Sequence, residues 1–248
     1  EITYGDWSSD VCSSDLWGYN KDWFTKSTIH FESGSASDFP YDFEWVKATA
    51  HDKPRLNDLF SVDPAIPQYA YRIGYFFNIK KGLGIEYAFD HSKYIVDVGQ
   101  TLHMVGDVNN QHYDKDTAFS KDYMNFEHTN GANFAMINMF CSPNLYSSKN
   151  KKFDISFLSK AGIGIVVPKT DVTLFGERLD NKFHVAGYII GIEEGVTFYF
   201  WRDFFITPSV KFSYANYVNA LTVDNGTAQH SFGCMEALLV FGYRFRFH

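Results

Sequence analysis

The sequence predicts an all-β chain: an eight-stranded antiparallel up-and-down transmembrane β-barrel. Three observations carry this. Aromatic and branched residues alternate with small or charged ones along the apolar segments, which is the two-residue period of a strand. The connections between these segments alternate between short and long. The small and charged face is rich in glycine, at Gly74, Gly84, Gly162, Gly164, Gly187, Gly191 and Gly242. That suits a narrow, filled interior and leaves the aromatic face to lipid.

The segments follow in order. The first strand is placed near 23–32 on a weak pattern. In 70–78, Tyr71, Ile73, Tyr75 and Phe77 oppose Arg72, Gly74 and Asn78. In 84–96, Ile85, Tyr87, Phe89 and Ile95 oppose Gly84, Glu86, Ala88, Asp90 and Ser92. The fourth strand, 124–141, has no cleanly apolar face. In 153–165 the apolar set runs from Phe153 to Ile165, against Asp154, Ser156, Lys160 and Gly162. In 183–200 the face bearing Tyr188, Ile190 and Ile192 also carries Glu194. The seventh strand, 204–218, sets Ile206, Val210, Phe212 and Tyr214 against Thr207, Ser209, Lys211 and Ser213. The last sets Met235, Leu239, Phe241, Tyr243, Phe245 and Phe247 against Cys234, Glu236, Gly242, Arg244 and Arg246.

Between them the short links are IKKG, SPNLYSSKNK and WRD; the long ones precede residue 70, span 97–122 and fill 168–182, with DNGTAQ last. Short turns on one side and long loops on the other are the pattern of outer-membrane barrels, and an even count returns both ends to the periplasm. Tyr75–Phe77, Phe198–Trp201, Phe204–Phe205 and Tyr243–Phe247 gather at the turn side, where an interfacial aromatic girdle belongs.

Residues 1–16, EITYGDWSSDVCSSDL, stand apart. They have no hydrophobic period and no basic residue, so they form no secretory signal. DWSSDVCSSDL resembles, residue for residue, the in-frame translation of a common indexed short-read sequencing adapter. The resemblance implies a non-native, disordered segment without strand pairing, and a single barrel domain over 17–248. It also implies that the native N-terminus is missing, so the absence of a signal peptide says nothing about localisation.

Composition agrees. The chain is 19% aromatic, with 25 Phe and 16 Tyr, more rings than a water-soluble globule needs. No apolar run is long enough for a membrane helix. Without residues 1–16, which carry four acids and no base, the formal charge moves from −7 to −3, leaving no basic footprint for nucleic acid. Two cysteines remain, Cys141 and Cys234. They are predicted at opposite ends of the barrel, beyond disulfide reach.

Eight strands leave a lumen filled by side chains. The inward charges are Arg72, Glu86, Asp90, Glu127, Lys160, Glu193, Lys211, Glu236, Arg244 and Arg246. Both signs are present, which predicts mutual pairing; a proton or solute path is the alternative. Two tripeptides offer chemistry, Asp90-His91-Ser92 and Glu127-His128-Thr129. His91, Ser92, Glu127 and His128 are the candidate catalytic groups. Parity places His91 and His128 together on the outward face near the external rim. Neighbours in a strand point to opposite faces, however, so His and hydroxyl within one tripeptide do not meet.

EHTNGANFAMIN at 127–138 resembles the His-x-Ser-Asn strand motif of outer-membrane lipid A deacylases, which implies His128 as a base. Asn130 stands where the nucleophile belongs, so the hydroxyl is absent. GIEYAFDHSKY, FHVAGYIIGIEEG and KFSYANYVNAL resemble small outer-membrane β-barrel proteins of Gram-negative bacteria of uncharacterised type, which implies a bacterial outer-membrane location. GYRFRFH resembles the C-terminal strand by which such proteins are recognised by the assembly machinery. The other partners implied are outer-membrane lipid and lipopolysaccharide. The primary expectation is a structural or surface-interaction role, with a lipid A-modifying hydrolase as the enzymatic alternative.

No cofactor or metal is expected. DVNNQHYDKD lacks the spacing of a calcium loop, and KGLG lacks the following helix of a nucleotide site. NGT at 225–227 is read as a turn.

Overall fold

The computed structural model describes residues 11–54, 68–118, 120–150, 152–201 and 203–247. Their regular structure is all β. Eight antiparallel staves form the ring: β1 (Val11–Phe24), β2 (Tyr69–Asn78), β3 (Leu83–His91), β4 (Phe134–Cys141), β5 (Phe153–Val166), β6 (Gly187–Phe200), β7 (Phe204–Leu221) and β8 (Thr227–Phe247). Each pairs with the next, and β8 returns to β1 from Phe24↔Cys234 to Val11↔Phe247. Closure matters because lipid offers no partner to an open sheet edge.

The outward face is mostly apolar, broken on β5 and β6 by Ser159, which donates to Glu194 at 2.7 Å. Ile163 is 69% and Met139 60% exposed, and Ile85, Tyr87, Ile190, Ile192, Phe212 and Leu239 join them in the belt. A face this apolar is solvated by hydrocarbon. At the turn end, Tyr75, Phe77, Trp201, Phe204, Tyr243 and Phe245 point outward. Phe76, Tyr199 and Phe205, expected in the same girdle, point inward by alternation; Phe76 packs on Phe140 and Tyr199 on Phe205. The interior is narrow: a Cβ at Gly162 would collide with the Asn138 side chain and the Ile137 carbonyl.

The long connections fold instead of trailing. Ser27–Glu32 pairs with the upper end of β8 and with Tyr41–Ala48. The sheet continues through Thr101–Val108 to Gln111–Ala118. Met124–His128 pairs with Asp171–Leu174 and Tyr94–Val96, and Asp171–Leu174 with Glu177–Asp180. These strands extend the barrel outward around Ile29, Phe31, Phe43, Trp45, Phe126, Leu174, Tyr217 and Phe232. The stretch 97–122, expected as a polar loop, therefore holds a hairpin.

Three boundaries are corrected. The first stave is Val11–Phe24; the segment near 23–32 is mostly the external strand Ser27–Glu32. The third and fourth expected strands each break, into 83–91 with 94–96 and 124–128 with 134–141. The second break carries Gly131 and Asn133 at φ 121° and 35°, a conformation that ends pairing. Finally, residues 11–16 pair with both β8 and β2, contrary to the expectation of no strand pairing for 1–16. Ladder hydrogen bonds are made by backbone, so almost any sequence at this position can cover two edges that would otherwise face lipid. Residues 1–10 lie outside the described residues.

Candidate functional site

The most concentrated chemistry lies inside the barrel. In the register of the staves, Asp22 stands opposite Glu236, Glu236 opposite Lys211, Lys211 opposite Glu193, and Glu193 opposite Lys160. Period-two alternation turns all five inward. Lys211 Nζ lies 2.7 Å from both Asp90 Oδ2 and Glu236 Oε1. Lys160 Nζ lies 2.9 Å from Glu86 Oε2 and 3.4 Å from Glu193 Oε1. Arg72 joins the two halves, with Nη1 2.6 Å from Asp90 Oδ1 and looser contacts to Glu86 and Glu193. Neutral donors finish the carboxylates: Ser209 Oγ donates to Glu193 at 2.7 Å and Asn138 Nδ2 to Glu86 at 3.1 Å.

Seven of the ten charges that parity placed inward meet in this network, and three are not among them. Glu127 sits outside it, on Met124–His128 opposite Asp171; burial and Asp171 raise its carboxyl above the ordinary range. Arg244 lies below the network, its guanidinium 4.1 Å from the Tyr199 ring centroid and 5.4 Å from that of Phe76. The Arg246 side chain lies outside the described residues. Between Arg244 and the network is a cavity of about 40 Å³, lined by Arg72, Glu86, Lys160, Thr197 and Thr207 among others. That is room for roughly a water molecule or two.

Above the network, Ser92 Oγ donates to Asp22, and Gln68 Nε2 donates to the same carboxylate at 3.3 Å. The lumen is closed at its outer end by rings. His128 Nε2 lies 3.2 Å from His230 Nε2, and Thr170 Oγ1 lies 3.1 Å from His128 Nδ1. Tyr217 stacks on both imidazoles, and Tyr94, Phe126 and Phe232 complete the box. Burial holds His128 neutral, its pKa pushed down to about 3.

The catalytic candidates are thus not assembled. His91 keeps its outward parity but is covered: it stacks on Tyr69 and lies 2.7 Å from Asn133 Oδ1. His128 faces the interior instead of the outer surface, and its imidazole partner is His230. Its nearest described hydroxyl, Thr170, is 1% exposed, sealed from lipid and solvent alike. Sequence reading missed His230 and Thr170, and no local signal marks them: His230 lies 102 residues from its partner and Thr170 lies 42.

A closed, even-numbered antiparallel ring, an apolar lipid-facing belt, short turns at one end and long folded connections at the other decide the class. The chain folds as an eight-stranded β-barrel of the outer-membrane type. No protein-family model and no curated protein matches it. Among solved structures, the barrel is similar to Ail, the attachment invasion locus protein of Yersinia pestis, in complex with the heparin analogue sucrose octasulfate. Identity is 14% over 95% of this chain and 99% of that one, with a TM-score of 0.33. It is similar to the outer membrane protein OprG of Pseudomonas aeruginosa at 11% identity, covering 96% of each chain, with a TM-score of 0.38. Neisserial surface protein A matches at 10% identity over 95% and 97% of the two chains, with a TM-score of 0.34. The ring of this barrel stands on its own strand pairing.

Proposed function

We propose that this barrel is a closed-lumen display platform, presenting a folded β-domain at the cell surface for contact with other molecules. The pairing of the long connections into one continuous sheet over a shared aromatic core carries this reading. Loops with no task beyond linking staves need neither pairing nor core. The charged lumen supports it, because the described charges inside a narrow eight-stranded ring pair with one another. Lipopolysaccharide and outer-membrane lipid are the neighbours of the apolar belt, and the aromatic last strand is the element that the assembly machinery would read.

The test is electrical. Reconstituted in planar bilayers, the purified barrel is expected to give no stepwise conductance, while added protease cuts the outer domain on intact cells. Steady single-channel steps would replace this reading with a transport one. The hydrolase alternative gains no support from the sealed imidazole. In cells expressing the wild-type barrel or His128→Ala, the lipid A mass spectrum is expected to be the same; a deacylated species dependent on His128 would restore that alternative.

A further inference from the structure

Four turns meet at the outer tip of the β-domain: 33–40, 120–123, 175–176 and 222–226. They are tied to one another. The Gly34 N–H donates to the Asp224 carbonyl at 3.2 Å, the Gly176 N–H to the Tyr123 carbonyl at 3.0 Å, and the Ser37 hydroxyl to the Asp224 carboxylate. Between them lies a cavity of about 310 Å³, lined by Phe39, Tyr41, Tyr123, Phe175, Glu177 and Asp224 with Leu174 and Val223. This is at the lower end of the size range of small-molecule sites, roughly 300–1,000 Å³.

The lining has a definite chemistry. Phe175 is its centre, with ring centroids of Phe39, Tyr41 and Tyr123 at 5.3, 5.9 and 6.1 Å and interplanar angles of 57°, 54° and 80°. Rings at these separations touch one another, so together they form an angled aromatic wall of the cavity. Two carboxylates, Glu177 and Asp224, complete the lining, and among the described residues neither has a cationic partner. Both act on the Tyr41 hydroxyl, whose burial, with these charges added, holds the phenol above its ordinary range.

The backbone adds an independent observation. Phe175 and Gly176 join Asp171–Leu174 to Glu177–Asp180 as a two-residue hairpin turn, with φ of 55° and 87°. Such a turn favours Asn-Gly. A bulky aromatic at positive φ is strained by about 1–3 kcal/mol, and strain of this kind clusters at ligand sites. Phe175 does nothing for its turn that Asn or Gly would not do better, so the position is explained by where the ring goes.

We propose that this apical cavity binds a small organic ammonium ion of the choline or alkylated-amine class, held against the aromatic wall and neutralised by Glu177 and Asp224. A cation over an aromatic face within about 6 Å is attracted by the ring quadrupole, and the attraction grows as the site is desolvated. A bare divalent ion would want converging oxygens, and the lining is mostly rings.

The test is calorimetric titration of the refolded full chain, in a detergent with no ammonium group, using tetramethylammonium, choline and choline's neutral carbon isostere 3,3-dimethylbutanol. Both cations are expected to bind saturably and the isostere at least tenfold more weakly. Phe175→Gly removes the ring while relaxing the turn, so it should remain folded and lose at least tenfold in affinity. Tyr123→Leu, at a half-exposed ring, gives a second reading should Phe175→Gly misfold. Glu177→Gln should weaken binding several-fold, and more at low salt than at high. Phosphatidylcholine vesicles, compared with phosphatidylglycerol ones, tell whether the ammonium group is also reached on a lipid headgroup. Equal binding of the isostere, unchanged affinity in the ring variants, or no saturable uptake of either cation would overturn the proposal. None of these outcomes bears on conductance, so the display reading is judged separately.

Discussion

Replacing Lys211 by Met is expected to destabilise the barrel by about 3–5 kcal/mol, the range for removing one partner of a buried ion pair. Lys211 is the shared cation of Asp90 and Glu236, at 2.7 Å from each, and all three side chains are buried. Without it, Asp90 keeps Arg72, but Glu236 loses the one ion pair it makes among the described residues. Urea titration of the refolded protein, followed by the mobility difference between folded and heated forms on gels, measures the shift. Adding Glu236→Gln to Lys211→Met should recover part of the loss, because the orphaned carboxylate is then neutral. An unchanged midpoint in the single variant would mean that the lumen network contributes nothing to the fold.

Acid should loosen the outer domain before it opens the barrel. An exposed imidazole titrates near 6.5, whereas burial pushes His128 down to about 3. Below 6.5 the unfolded form takes a proton that the folded form refuses. The stability held by neutral His128 is therefore complete above pH 6.5 and drains away as pH falls toward 3. At pH 5 the loss is about 2 kcal/mol, from 1.36 kcal/mol per pH unit. His230, Thr170, Tyr94 and Tyr217 surround the ring, and none of them is a carboxylate that could hold an imidazolium. Hydrogen exchange in 124–128 and 171–174 should accelerate between pH 7 and pH 5 beyond the intrinsic pH effect, while β5 and β6 stay protected. His128→Phe keeps a ring against Tyr217 and removes one of the two buried imidazoles; it should be less stable at neutral pH, with Thr170 and His230 unpartnered, and its acid response should shrink to the part that His230 carries. Retention of the full acid response in that variant would move its origin elsewhere.

The surface His–Asp pairs do not replace this effect. His30–Asp42, His51–Asp97, His103 with Asp114 and Asp116, and His112–Asp107 are largely solvent-exposed. Pairs of this kind contribute roughly 0–1 kcal/mol each and are screened by salt.

The barrel itself was legible in the sequence because its signal is local. A stave between lipid and a filled lumen must alternate at every step, so Ile73, Tyr75 and Phe77 against Arg72 and Gly74 declare two faces without any knowledge of neighbours. The inward charges follow from the same parity, which is why Arg72, Glu86, Asp90, Lys160, Glu193, Lys211 and Glu236 could be named in advance. Only the tertiary structure decided what a face meets. His128 keeps the parity of Phe126 and Phe134, but the face all three share is the buried interior and not the lipid side. His128 faces inward because Met124–His128 pairs with Asp171–Leu174 and Tyr94–Val96, a register that depends on segments far away in the chain. The same holds for β1, whose 11–16 ladder depends on two open edges rather than on its own side chains, and for the apical cavity, which exists only where four turns meet. Alternation is a property of a strand; a cavity or an imidazole pair is a property of the contacts between strands.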